Sequence, residues 1–162
     1  VVQALCTQLK TSQAQLLEKF QALLDENKQL HSEIKATRSL IIRQMALSIA
    51  TETEIVGKAR LLAKTVEITP DELSLLAEEA LKQIGSGVIA LASAGQDKCQ
   101  LLIAVSQDLI SQNIHANHLI KEASFCIGGG GGGKSALAQA GGKNPAGLPQ
   151  AFEKIRTHLK TI

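Results

Sequence analysis

Residues 128–143 read GGGGGGKSALAQAGGK, and this stretch carries most of the information in the chain. The six consecutive glycines, Gly128 to Gly133, leave a backbone without side chains that a ligand can approach closely. Lys134 follows the first glycine group and Lys143 follows the second, and both add positive charge that attracts phosphate. The stretch therefore predicts a ligand-binding loop rather than a packed core segment.

The same stretch satisfies the phosphate-loop pattern G-x-x-x-x-G-K-S through Gly128, Gly133, Lys134 and Ser135. A phosphate loop, however, follows a buried strand and opens a long helix. Here apolar residues at helical spacing precede Gly128, which predicts a helix before the glycines rather than a strand. The glycine pair Gly141-Gly142 follows Ser135 too closely for a long helix to lie between them. We interpret the match as coincidental. A disordered glycine linker is the other alternative, and the ordered turn that we predict at residues 139–142 argues against it.

Charge is distributed unevenly along the 162 residues, whose formal net charge is +2. Residues 115–162 hold only two acidic side chains against six basic ones: Lys121, Lys134, Lys143, Lys154, Arg156 and Lys160. This basic excess predicts an anionic polymer as partner. Lys154, Arg156 and Lys160 are the weaker candidates for contacting this partner, because a basic helix face is commonly just solvated. With three phenylalanines and no Tyr or Trp, stacking of bases on those two residue types is excluded.

The composition predicts a soluble, cytoplasmic protein. No run reaches the ~18 uninterrupted apolar residues of a membrane span, and the chain does not begin like a signal peptide. The odd number of cysteines (Cys6, Cys99 and Cys126) suits reduced thiols better than disulfides. A chain that opens on Val1 and has Met45 as its single methionine is expected to be a fragment of a longer protein.

A heptad repeat marks the N-terminal third of the chain. The repeat extends backwards to Val2 and Cys6 and forwards to Thr37 and Ile41. Because no glycine or proline interrupts residues 1–56, we expect a helix of up to ~55 residues. Its d positions are Leu9, Leu16, Leu23 and Leu30, and its a positions are Gln13, Phe20, Asn27 and Ile34.

We predict that residues 1–57 form a coiled-coil oligomerisation region. Its contact residues would be Leu9, Leu16, Phe20, Leu23, Asn27, Leu30 and Ile34, with Asn27 specifying the register. These residues form an apolar stripe along the helix. The stripe could pair with a second copy of the chain, with residues 40–55 of the same chain folded back onto it, or with the rest of a longer protein. A plain spacer helix is the alternative. A DNA-binding zipper is excluded because residues 1–9 contain no Lys or Arg.

Residues 58–162 predict a globular domain of α+β class, with helices on a short mixed sheet. We expect a strand at residues 63–68 and a helix that begins at the capping sequence Thr69-Pro70-Asp71-Glu72 and ends at Gly85. Apolar runs at residues 88–94 and 101–105 predict a hairpin. Helices are expected at residues 116–127 and after Pro145, where the apolar positions are Leu148, Phe152, Ile155, Leu159 and Ile162.

No constellation in the chain predicts catalysis, a metal site or a cofactor. His115 and His118, with Cys126 beyond them, lack the second ligand pair of a zinc site. Serine, histidine and aspartate are scattered without the strand, turn and helix context of a nucleophile.

Together these elements resemble the C-terminal domain of the alanyl-tRNA synthetases, which has the DHH-associated fold. The resemblance is carried by the glycines with Lys134, by Ala138-Gln139-Ala140-Gly141-Gly142-Lys143-Asn144-Pro145, and by the strand sequence at residues 101–106. It covers essentially the whole chain. Ser135-Ala136 replaces the family's Pro-Asp, Leu137 replaces a larger apolar residue, and Asn144 replaces Asp.

The resemblance implies a module that dimerises a synthetase through its helical part. Its globular part would hold the outer corner of tRNA, where the D and T loops meet, so that the acceptor end reaches the aminoacylation and editing sites. The partners would be tRNA and the remainder of the synthetase. The expected RNA-binding residues are Gly128, Gly129, Gly130, Gly131, Gly132, Gly133, Lys134, Gln139, Gly141, Gly142 and Lys143.

Two other functions remain open from the sequence. The DHH-type phosphodiesterases use a similar glycine-rich domain to bind substrate, although the Asp-His-His motif is absent from this chain. Alternatively, the chain is a purely structural coiled-coil protein in which the glycine run is a linker.

Overall fold

The computed structural model describes residue 3 and residues 8–161, with the side chain of Gln13 excepted. Contacts divide the chain into two compact units between Ile41 and Ile42, which is N-terminal to the boundary predicted after residue 57. The predicted heptad positions Val2 and Cys6 and the last apolar position, Ile162, lie outside the described residues.

The long helix α1 spans Leu16–Ile49. The prediction of one uninterrupted helix to residue 56 is wrong at both ends. At the start, Lys10 has a positive φ of 49°, and a 3-10 turn at Gln13–Gln15 precedes the helix, so Leu9 lies before this break. At the end, a 3-10 turn at Ala50–Glu52 is followed by a strand, β1, at Glu54–Val56. The β-branched Thr53, Ile55 and Val56 favour extended backbone there.

The C-terminal unit contains a six-stranded sheet in the order β1-β2-β3-β4-β6-β5. Strands β2 and β3 are parallel and all other neighbours are antiparallel. The remaining strands are β2 at Ala59–Val66, β3 at Val88–Ala94, β4 at Cys99–Val105, β5 at Gly129–Gly133 and β6 at Leu137–Gly142. The mixed-sheet prediction and the predicted hairpin are confirmed.

Helices cover both faces of this sheet. They are α2 at Pro70–Ile84, α3 at Gln107–Ser111, α4 at Ala116–Cys126 and α5 at Leu148–Thr161. On one face, α4 and α5 pack on a core that includes Leu101 and Ile103. On the other face, α2 and the C-terminal end of α1 pack on a core that includes Leu91 and Leu102. Strands β3 and β4 are apolar apart from Ser93 and Gln100 because most of their residues are buried on both sides of the sheet.

The predicted capping box at the start of α2 is confirmed. A carboxylate oxygen of Glu72 accepts hydrogen bonds from the backbone N–H of Thr69, at 3.0 Å, and from the Thr69 hydroxyl, at 2.7 Å. Pro70 occupies the first helical position, where no N–H is needed. Gly85, with φ of 78°, ends the helix by donating its N–H to the carbonyl of Leu81. Helix α2 therefore begins and ends as its local sequence dictates.

We expect Thr69→Ala to lower the free energy of unfolding by about 1 kcal/mol, because the first turn of α2 loses its cap. Urea unfolding followed by circular dichroism measures this change. The matched control is Thr157→Ala in α5, whose hydroxyl only donates to the carbonyl of Glu153. Equal unfolding free energies for the two variants would contradict the capping role.

No helix in the described part of the chain is both long enough and apolar enough to cross a membrane.

Candidate nucleic-acid interface

The glycine run forms an edge strand, which corrects the prediction of a loop. Residues Gly129–Gly133 are β5, paired on one side with β6, and Gly128, with φ of 62°, connects them to the end of α4. Residues 139–142, predicted as a turn, lie inside β6 between β4 and β5. The linker interpretation is therefore wrong, since the glycines belong to the sheet. A helix, not a buried strand, precedes them, so the phosphate-loop context is absent here.

The glycines in β5 alternate between two environments. A Cβ atom added at Gly129, Gly131 or Gly133 would lie 1.8, 2.4 or 2.5 Å from its nearest atom in β6. A Cβ added at Gly130 or Gly132 would meet nothing within 4 Å. One side of the strand therefore needs glycine because β6 approaches it closely. The other side is a bare backbone surface open to a ligand.

An open groove of about 610 Å³ adjoins this bare surface. It lies where β4 begins and β6 ends, since Cys99 is opposite Gly142 in the sheet. The predicted residues Gly130, Gln139 and Gly141 line it. The groove also contains residues that the sequence analysis did not select, above all Pro70 at the start of α2, Lys98 and Gln100.

Two side-chain amides meet in the groove. The Nε2 of Gln100 donates to the Oε1 of Gln139 at 3.3 Å, which orients both amides. Gln139 is exposed, whereas its neighbours Ala138 and Ala140 are buried in the sheet core. This alternation presents Gln139 to solvent as a hydrogen-bonding group.

The structure separates the two predicted lysines. Lys134 lies in the turn between β5 and β6, where its N–H donates to the carbonyl of Leu137 at 2.8 Å. Lys143 follows the far end of β6, about 20 Å away at ~3.4 Å per residue. Both are exposed, and so is Lys98, which precedes β4 at the same end of the sheet as Lys143. Lys98 was missed because only the pairing of β4 with β6 reveals its position.

Of the weaker candidates, Arg156 is held in ion pairs. Its Nε donates to Glu54 at 2.6 Å and its Nη1 donates to Glu153. These carboxylates, Glu54 foremost, raise the pKa of Arg156. Because it connects α5 to β1, Arg156 stabilises the fold at the edge opposite the glycines. Lys154 and Lys160 are exposed on the same helix.

The other reactive groups have structural surroundings. Cys99 is buried at the start of β4, and this burial raises the pKa of its thiol more than backbone hydrogen bonds at Asn144 and Gly142 lower it. The rings of His115 and His118 meet edge to face at 5.2 Å at the start of α4. Within residues 3 and 8–161, no group of three or more His, Cys, Asp and Glu side chains is placed to hold a metal ion.

Strand β5, here called the glycine edge, gives this small α+β domain an exposed backbone surface. Cationic residues lie at both ends of that strand. Residues 58–161 match the DHHA1 domain family. This match covers more than half of the chain, which therefore belongs to the DHHA1 domain family.

Similar proteins connect the chain to one enzyme family. Alanine–tRNA ligase of Alkaliphilus oremlandii is 33% identical over 159 residues, which are 98% of this chain and 18% of that protein. The C-Ala domain of alanyl-tRNA synthetase from Aquifex aeolicus has 35% identity and a TM-score of 0.63, over 67% of this chain and 97% of that one. The predicted resemblance to the C-terminal domain of these synthetases is confirmed, and this chain spans less than a fifth of the curated relative.

A more distant likeness shows the fold alone. RecJ from Thermus thermophilus, solved in complex with Mg²⁺, has 17% identity and a TM-score of 0.62 over 90% of this chain and 21% of its own.

Proposed function

We propose that this chain is a tRNA-binding and dimerisation module of an alanine–tRNA ligase. It would hold the elbow of tRNA so that the aminoacylation and editing sites of the whole ligase can act on the acceptor end. The observation that carries the RNA-binding part is the bare face of β5 at Gly130 and Gly132, next to a groove and between exposed lysines. The family membership and the named relatives support the same interpretation.

This surface suits RNA held by its shape and backbone. Without side chains, the backbone at Gly130 and Gly132 can approach a flat nucleotide surface closely. Lys134 and Lys143 can contact phosphates at separate points along a strand, and such contacts position RNA without reading its sequence. Gln139 offers its amide to a sugar hydroxyl or a base edge.

The experiment that tests RNA binding compares two ligands of the purified chain. One is intact folded tRNA and the other is an acceptor-stem hairpin that lacks the elbow, both at ~150 mM salt to screen simple charge attraction. We expect a clear preference for intact tRNA. Equal affinity for both ligands, or no binding of either, would contradict the proposed elbow contact.

We expect the double variant Lys98→Ala/Lys143→Ala to bind intact tRNA roughly tenfold more weakly, at about 0.7 kcal/mol for each cation. The slope of the logarithm of affinity against the logarithm of salt concentration should fall in magnitude by roughly 1.5. Filter binding at several salt concentrations measures both quantities.

The matched control for this variant is Lys160→Ala in α5. Lys160 lies at the other edge of the sheet, beside the turn that joins β1 and β2. Its Cα would be 3.6 Å from a Cβ added at Gly57 in that turn. We expect it to leave both the affinity and the salt slope unchanged. An equal loss in both variants would show a diffuse charge effect rather than an interface at the glycine edge.

We propose that a second copy of this chain covers the apolar stripe of α1. The predicted contact residues Phe20, Leu23, Leu30 and Ile34 are all exposed on this helix, as are Leu17 and Leu24. Helix α1 continues without a break to Ile49, which favours a second copy over pairing within the chain. Sedimentation at several protein concentrations is expected to show a monomer–dimer equilibrium. A monomer at every concentration would overturn this part of the proposal.

A further inference from the structure

One aromatic side chain in the sheet domain is left in solvent. Phe125, in the last turn of α4, is 82% exposed, whereas Phe152 in α5 is 8% exposed and belongs to the core. The buried face of α4 carries Leu119, Ile120 and Ala123. Phe125 therefore contributes little to the core, although exposure of a phenyl ring to water is unfavourable.

Phe125 stands directly beside the glycine edge. Its carbonyl accepts a hydrogen bond from the N–H of Gly128 at 3.3 Å, and the next carbonyl, of Cys126, accepts one from the Nδ2 of Asn144 at 3.2 Å. Gly129 pairs with Gly142 at this end of the hairpin, so Lys143 is close in the fold. Phe125 thus lies near this end of β5 on the face of the sheet that α4 covers, whereas Gly130, Gln139 and the groove lie on the face that α2 covers.

The surroundings of Phe125 are charged and polar rather than apolar. Lys121 and Glu122 precede it by one helical turn and are exposed, and the carboxylate of Glu122 is paired with His158 at 3.2 Å, which leaves Lys121 as the cation on this side of α4. Among the described residues of the sheet domain, the other large exposed apolar side chains are Leu47 and Ile55, on α1 and on β1 at the opposite edge of the sheet. Protein-docking surfaces are typically marked by a contiguous apolar patch, which one isolated ring does not provide. A nucleobase needs only one flat ring on which to stack.

We propose that Phe125 is a stacking residue for a base of the RNA held at the glycine edge, with Lys121 and Lys143 contacting the flanking phosphates. The proposal rests on the proposed function and adds to it a named contact. It assigns the stacking role to phenylalanine, in a chain that has neither Tyr nor Trp. An exposed base would pack against the ring while the RNA backbone crosses the edge strand β5 from one face of the sheet to the other.

The test compares Phe125→Leu, which keeps an apolar side chain without a ring, with Phe125→Trp, which enlarges the ring. We expect Phe125→Leu to bind intact tRNA about tenfold more weakly, within the range measured for lost stacking on single aromatic residues. The salt slope should stay unchanged because no charge is removed. Phe125→Trp should bind at least as tightly as the unaltered chain, and thermal unfolding should be the same for all three.

The Phe125→Trp variant also supplies a direct reporter, because the chain contains no other tryptophan. Stacking of a base on the indole is expected to quench its emission on titration with intact tRNA. Unchanged affinity in Phe125→Leu together with unchanged emission in Phe125→Trp would overturn the stacking proposal. An emission change that depends on protein concentration without RNA would assign the ring to a second copy and would also overturn it.

Failure of this inference can be told apart from failure of the proposed function. If Lys98→Ala/Lys143→Ala weakens tRNA binding while Phe125→Leu does not, the glycine edge binds RNA without stacking. If the unaltered chain does not prefer intact tRNA, the proposed function itself fails and the stacking proposal fails with it.

Discussion

Alanine at Gly131 is expected to lower the free energy of unfolding of the sheet domain by roughly 2 kcal/mol. The added Cβ would lie 2.4 Å from the Cβ of Ala140 and 2.7 Å from the carbonyl oxygen of Gln139. Both atoms belong to β6, an inner strand of the sheet, so they cannot move without disturbing its pairing with β4. Overpacking of this kind commonly costs about 1–3 kcal/mol. Urea unfolding, with near-native helicity in the absence of denaturant, measures the loss.

The matched control is the same change one residue later, Gly132→Ala. A Cβ at Gly132 meets nothing within 4 Å, and its φ is not positive. Alanine there should leave stability unchanged or raise it by about 0.4–1 kcal/mol, because the unfolded chain loses conformational freedom. Equal destabilisation by both variants would show that β5 is not the ordered, closely packed strand described above.

The second large effect is expected in α1, where Leu23→Glu combined with Leu30→Glu should prevent self-association. Both leucines are exposed within one chain, at 38% and 51%, and would be buried only against a partner. Loss of two buried leucines amounts to ~3–6 kcal/mol in each copy, so the dissociation constant of the dimer should rise by well over about a hundredfold. Sedimentation equilibrium measures the constant, and the helicity of the dissociated chain is read by circular dichroism.

Gln21→Glu combined with Ser32→Glu is the control for this second prediction. It adds the same two negative charges to exposed positions of α1 that lie outside the a and d positions of the heptad. The dimer should persist in this variant. Dissociation by both pairs of substitutions would indicate general charge repulsion, and dissociation by neither would place the dimer contact elsewhere.

These two predictions concern the two parts of the proposed module separately. The glycine variants test whether β5 is an ordered, closely packed strand, and the leucine variants test whether α1 joins two copies. A dimer would present two glycine edges and therefore two binding sites for RNA. RNA binding and self-association are therefore best measured on the same preparations.

Local signals in the sequence predicted the elements that depend on neighbouring residues. The capping box at Thr69 and Glu72 begins α2 because both residues lie in the same turn. The apolar runs on either side of residues 95–98 predicted the β3–β4 hairpin, and the helical spacing from Leu148 predicted α5. In each case the information spans one turn of helix or one hairpin.

The candidate site could be predicted only in part, because its members come together through the sheet. Gln139 and Gly141 were selected from the glycine-rich stretch, and they line the groove. Lys98 was not selected from the sequence, and its place near Lys143 follows from the pairing of β4 with β6. Arg156 was interpreted as part of a basic helix face, whereas it pairs with Glu54 on β1. No local pattern records such long-range partners.

The sequence by itself determined the α+β class, the capped and amphipathic helices, the heptad stripe and the likeness to one synthetase domain, since these are written in periodicity and in motif. Only the tertiary structure decided that the glycine run is a strand, that β1 replaces the end of the long helix, and that Phe125 stands exposed beside the glycines. Because glycine has no side chain, a run of glycines shows no alternation of apolar and polar residues from which a strand could be predicted. Its conformation in β5 follows from the hydrogen bonds and close approach of β6, which only the folded chain provides.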